Sequence, residues 1–69
     1  MPESCAMLID QLINERHRRN MTQKDLAIAA SLTQPVIARL ESKKTTPQLD
    51  TLLKVAAALN CDVTIVSRT

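Results

Sequence analysis

The sequence predicts an all-α domain of four to five short helices followed by one short C-terminal β-strand, and three observations carry that reading. Leu, Ile, Val, Met and Ala recur at three-and-four spacing through most of the chain, the period of helices buried on one side. Two helix-start signatures stand eleven residues apart, at Thr22 and Thr33. The last nine residues, CDVTIVSRT, are rich in β-branched side chains and alternate instead, which is the period of a strand.

The stretch at residues 22–41, TQKDLAIAASLTQPVIARLE, organises the rest. Thr22 can cap a helix with Asp25 as its reciprocal partner, and Met21 with Leu26 can staple the same turn. Leu32, Thr33 and Ile37 repeat the pattern. Two short helices joined by a turn at Ser31 and Leu32 have the outline of a helix-turn-helix. Spacing puts Leu26, Ala29 and Ala30 on one side of the first helix, with Ala27 small enough for a close crossing. In the second helix Ile37 and Leu40 point inward, leaving Gln34, Pro35, Ala38 and Arg39 outside. Such a helix start suits a DNA groove. Gln can bond adenine bidentately, Arg can bond guanine, and a helix N-terminus favours phosphate. An ordinary solvated face uses the same residue types, so the residues alone leave both readings open.

The flanking segments follow in order. Pro2 or Ser4 opens the first helix. Cys5, Leu8, Leu12, Arg16 and Arg19 share a face, and Ile9 with Ile13 forms a second stripe. That stripe reads as part of a broad buried face or, the reading favoured here, as a patch for a partner subunit or for the C-terminal segment. The cations Arg16, Arg18 and Arg19 suit a helix C-terminus through the backbone dipole. His17 has no second His beside it and receives no role, and Asn20 ends the helix. After Leu40 the polar connection ESKKTT offers Lys43, Lys44, Thr45 and Thr46 to a DNA backbone, contacts that position a protein without reading sequence. Thr46 and Pro47 start the last helix, with Leu49, Leu52, Leu53, Ala56 and Leu59 as its core face and Asn60 as its stop. In the tail, Cys61, Val63, Ile65 and Ser67 lie on one side and Asp62, Thr64, Val66 and Arg68 on the other. A lone strand has no partner in a helical chain. A second copy is therefore expected to supply one, with Val63, Ile65 and Val66 as dimerisation residues. Residues 1–60 form the DNA-binding unit on this reading, and residues 61–69 the dimerisation strand.

Composition bounds the function. A chain of 69 residues without aromatics must build its core from aliphatic side chains, and at that size a subunit partner is an accessible source of extra burial. A net charge of +2 makes it no generic polycation, so DNA binding must use local clustering. There is no glycine for a phosphate loop and no His-containing metal cluster, and the carboxylates are scattered. No catalytic residue, metal, cofactor or small-molecule substrate is expected. Cys5 and Cys61 read as buried free thiols of a reducing cytosol, with a bridge between the termini as the alternative. Neither a membrane span nor a leader is indicated, so the expected location is cytoplasmic.

Residues 16–60 resemble the Xre/Cro-type helix-turn-helix family of the lambdoid phage repressors. The matching residues are Arg16, the TQKDLA run at 22–27, the LTQPVIARLE run at 32–41 and the PQLDTLLKVAAALN run at 47–60. The resemblance implies a lambda repressor-like fold that binds double-stranded DNA sequence-specifically, usually as a homodimer. It implies that Thr22 and Gln23 stand at the start of the second helix, with Gln23 on phosphate. Thr33, Gln34, Pro35 and Arg39 would then face the major groove. It also implies that Arg16 pairs with Glu41, tying helix one to the recognition helix. Asn20, Ser31, Lys43 and Asn60 stand where the family usually has Gly, which puts strained or reshaped turns at Ser31 and Lys43. The C-terminal strand is similar to that of HipB-like antitoxins, which implies a toxin protein as a further partner. Phage-type repressors and controllers of restriction–modification operons are alternatives with the same DNA chemistry. The competing class is a protein-interaction module that keeps the fold without binding DNA.

Overall fold

The computed structural model describes residues 1–68. Four helices follow one another: α1 Glu3–Arg18, α2 Gln23–Ala29, α3 Gln34–Ser42 and α4 Leu49–Ala58. Pro2 stands at the N-cap of α1, and Glu3 in the first turn complements the helix dipole. At α2 the expected capping box is complete. Asp25 N donates to Thr22 Oγ1 at 3.0 Å and Thr22 N donates to Asp25 Oδ2 at 3.0 Å. Thr33 occupies the N-cap of α3 with extended backbone but makes no side-chain cap bond; Val36 stands where α2 has Asp25, and Pro35 before it has no N–H to donate. The start of α4 lies later than expected, at Leu49 after an N-cap Gln48, which leaves Pro47 in the loop.

In a chain without glycine, four non-glycine residues turn left-handed: Asn20 (φ 55°), Ser31 (φ 58°), Lys43 (φ 60°) and Asn60 (φ 57°). They are the four positions at which the resemblance implied Gly. Three of the turns close by the same pair of backbone bonds. Met21 N donates to Arg16 O and Asn20 N to His17 O; Leu32 N donates to Ala27 O and Ser31 N to Ile28 O; Cys61 N donates to Ala56 O and Asn60 N to Ala57 O. These are Schellman closures, which satisfy the last carbonyls of a helix. Ser31 therefore keeps the usual turn geometry, at a cost of roughly 1–2 kcal/mol for a left-handed residue with a Cβ. Helix α3 ends differently, with Lys43 itself as its left-handed C-cap and Lys43 N on Leu40 O.

Ile9 and Leu12 of α1, Leu26 and Ala27 of α2, Ile37 and Leu40 of α3, and Leu52, Val55, Ala56 and Leu59 around α4 form the core. Burying each large aliphatic side chain stabilises the fold by roughly 1.5–3 kcal/mol. Helices α2 and α3 pack most intimately, while α1 closes over α3 and α4 over α2.

Several expectations change. Ile9 is wholly buried and Ile13 packs beside it, so this stripe belongs to the core of a single chain and is no partner patch. Arg19 is exposed, and so is Ala29, whose place in the core is taken by Ala27. On α4 the inward face is turned, with Val55 fully buried and Leu49 and Leu53 exposed. The tail at residues 61–68 forms no strand within this chain, since a strand requires a ladder partner. Val63 is 41%, Ile65 97% and Val66 81% exposed, so neither Ile65 nor Val66 packs on the domain. Thr69, the last residue of the expected strand, lies outside the described residues. Cys5 and Cys61 are free and only half-buried.

Candidate nucleic-acid interface

Alternation of burial along α3 creates the site. Ile37 and Leu40 are buried, and this anchors the helix so that Gln34, Pro35, Ala38 and Arg39 are all exposed, as their spacing requires. Thr33 is exposed at the same end, and its hydroxyl is not spent on capping.

Beneath the C-terminal end of α3 lies the element that aims it. Arg16 is buried, with 8% of its surface exposed. Its Nε donates to Glu41 Oε2 at 2.7 Å and its Nη2 to Glu41 Oε1 at 3.0 Å, a bidentate pair. Nη1 donates to Met21 O at 2.8 Å, and Nη2 also lies 3.0 Å from His17 Nε2. Two parallel charge-assisted bonds fix angle as well as distance. One guanidinium thus joins the end of α1, the turn that leads into α2 and the end of α3. Gln23 completes the set, its Nε2 donating to Glu41 Oε1 at 3.1 Å. The half-buried side chain expected on phosphate thus also bonds Glu41, and His17, given no role from sequence, touches the buried guanidinium.

Thr22 is exposed and spends its hydroxyl as an acceptor in the capping box. The Thr22 backbone N–H and then its hydroxyl hold the Asp25 carboxyl below the ordinary aspartate value. Lys43 is drawn toward α1, with Nζ 2.6 Å from Asp10 Oδ1. Lys44 and Thr45 stay exposed, with Lys44 N bonded to Ser42 Oγ at 3.3 Å. A shallow groove beside the outer face of α3 is lined by Val36, Arg39, Thr45, Thr46, Gln48 and Thr51 among others.

Pairing divides the cations. Arg18 and Arg19 both bond Glu15, at 2.8 and 3.4 Å, and the Arg18 hydrogen bond holds the Glu15 carboxyl below its usual range. This favours a solvated helix end over a phosphate patch. Among the described residues Lys24, Arg39, Lys44, Lys54 and Arg68 carry no ion pair. Lys24 was missed in sequence. Its signal was present, because a cation in the first turn of a helix opposes the dipole and needs an anion elsewhere. Among the described residues no cluster of His, Cys, Asp or Glu could hold a metal, and no helix is long and apolar enough to cross a membrane.

Comparison with known proteins agrees with this geometry. The family profile described as helix-turn-helix matches residues 12–66. A Haemophilus influenzae protein described as an uncharacterized HTH-type transcriptional regulator is 44% identical over 59 residues, 86% of this chain and 60% of that one. The chain thus spans about 60% of that relative's length. A solved structure described as a toxin–antitoxin module from Streptococcus pneumoniae superposes with a TM-score of 0.79 at 39% identity, covering 97% of this chain and 74% of that one. With its α2–α3 helix pair, left-handed turns and buried arginine–glutamate tie, the chain belongs to the Xre/Cro-type helix-turn-helix family.

Proposed function

We propose that the chain is a sequence-specific DNA-binding transcriptional regulator that acts as a homodimeric repressor on a near-palindromic operator. The observation that supports this best is the outer face of α3, whose Gln34 and Arg39 are exposed while Arg16, Glu41 and Gln23 hold the helix from behind. Gln34 reads adenine, Arg39 reads guanine, and Pro35 offers an apolar contact to a thymine methyl. Thr33, Lys44 and Thr45 serve phosphates on either side, with Lys24 as a further cation. Two copies place their recognition helices about one DNA turn apart, roughly 34 Å. The exposed tail supplies the dimer contact by pairing with its twofold mate.

The likeness to a chain from a toxin–antitoxin module supports an antitoxin role, in which a toxin protein is a second partner. Co-expression with the product of the neighbouring reading frame tests that part, since an antitoxin should co-purify with it. DNA binding is tested by selecting sites from random duplexes and titrating salt. Several phosphate contacts require log K to fall linearly with log salt, at about 0.9 per phosphate. Failure to enrich any site, with flat salt dependence, would leave the protein-interaction module as the reading.

A further inference from the structure

The tail carries a pattern that the dimer reading does not use. Cys61 is half-buried, and Cys61, Asp62 and Val63 line a groove with Leu8, Leu12 and Ala56. Ile65 is 97% exposed; in an extended strand its side chain would share a side with Cys61 and Val63. On the even side stand Asp62 and Arg68, both exposed and neither in an ion pair among the described residues.

We propose that the occupant of this surface is the tail of a second copy of this chain, antiparallel and in the one register that places Ile65 opposite its own twofold mate. The inference rests on the dimer reading above and adds what sets its register. With residue 65 on the axis, 62 falls opposite 68, 63 opposite 67 and 64 opposite 66. Each Asp62 then meets the partner's Arg68, giving an opposite-charge pair at both ends of the ribbon. Thr64 faces Val66, a β-branched pair of the kind that stabilises antiparallel strands. The apolar row of Val63 and Ile65 turns inward over both grooves, and the charged row turns to solvent. Moving the axis to residue 64 or 66 separates Asp62 from Arg68 and parts the two Ile65 side chains. The ion pairs thus specify the register and the isoleucines supply the burial.

The test uses the full chain with charge reversals and cysteine linking. Asp62→Arg and Arg68→Asp each turn two attractive pairs into two repulsive ones, and each should dimerise on the order of tenfold more weakly than wild type. An equimolar mixture of the two variants should recover dimer by sedimentation, because one chain then carries only positive and the other only negative charge at these positions. In a Cys5→Ala, Cys61→Ala background, Ile65→Cys should oxidise to a linked dimer faster than Thr64→Cys or Val66→Cys. Helical circular dichroism checks the fold of each variant. Reversal variants that self-associate as tightly as wild type, or faster linking at position 64 or 66, would overturn the register while leaving a dimer. A wild-type chain that stays monomeric while it binds its operator would overturn the dimer reading itself.

Discussion

Among the described residues no hydrogen bond or ion pair engages the side chains of Gln34 and Arg39. A bidentate side chain–base pair is worth roughly 1–3 kcal/mol of discrimination. Gln34→Ala should therefore relax base preference at one position per half-site, and Arg39→Ala at another, while nonspecific binding stays nearly unchanged. Selected sites with unaltered preference in both variants would remove them as readers. Asp25 illustrates a different residue-scale effect. Its folded pKa is depressed, so its stabilising contribution is complete above the unfolded value of about 3.9 and disappears as pH falls through the folded value. Glu15, depressed by Arg18, acts in the same direction. Asp25→Asn should flatten the loss of Tm below about pH 4, and an unchanged acid limb would assign that loss to other carboxylates.

At the scale of elements, what matters is how α3 is held relative to α1 and α2. Arg16 and Glu41 are each about nine-tenths buried and joined by two bonds. Removing one partner of such a pair can cost roughly 3–5 kcal/mol, a large part of the ~5–15 kcal/mol typical of a domain. Arg16→Ala and Glu41→Ala should each lower the urea midpoint strongly, and the double variant should be little worse than either. Additive losses would show that the two act independently. The second tie, Lys43 to Asp10, is half-exposed and worth roughly 0–1 kcal/mol. It also explains how a lysine serves at a left-handed cap, since its side chain reaches back to α1. Lys43 was expected on phosphate. Removing that charge should leave the salt slope of DNA binding unchanged, whereas Lys44→Met should lower it by about 0.9.

For the whole molecule, the decisive feature is apolar surface that one chain does not cover. Ile65 and Val66 lie open on the tail, while the core is complete without them. Removing residues 63–69 should leave helical content and the single-chain core in place while weakening both dimerisation and operator binding. A truncated chain that still sediments as a dimer at micromolar concentration would move the interface onto the helices, where exposed Leu49 and Leu53 on α4 are the first candidates.

Local chemistry determined what the sequence could show unaided. The capping box at Thr22 and Asp25, the inward Ile37 and Leu40, the outward Gln34, Pro35, Ala38 and Arg39, and the helix stops at Asn20 and Asn60 all depend on spacing within a turn or two of helix. Such signals are complete in the chain itself. The Arg16–Glu41 tie was legible too, but only through family resemblance, because 25 residues separate its partners. Tertiary structure decided the rest. It turned Gln23 onto Glu41, drew Lys43 toward Asp10, sank Ile9 into the core and rotated α4 so that Val55 lies inside and Leu53 outside. Each of these depends on which element arrives opposite, and periodicity names a face without naming its neighbour. The tail follows the same rule one level up. Its alternation is a property of the sequence, but whether it becomes a strand depends on a partner that a single chain does not contain.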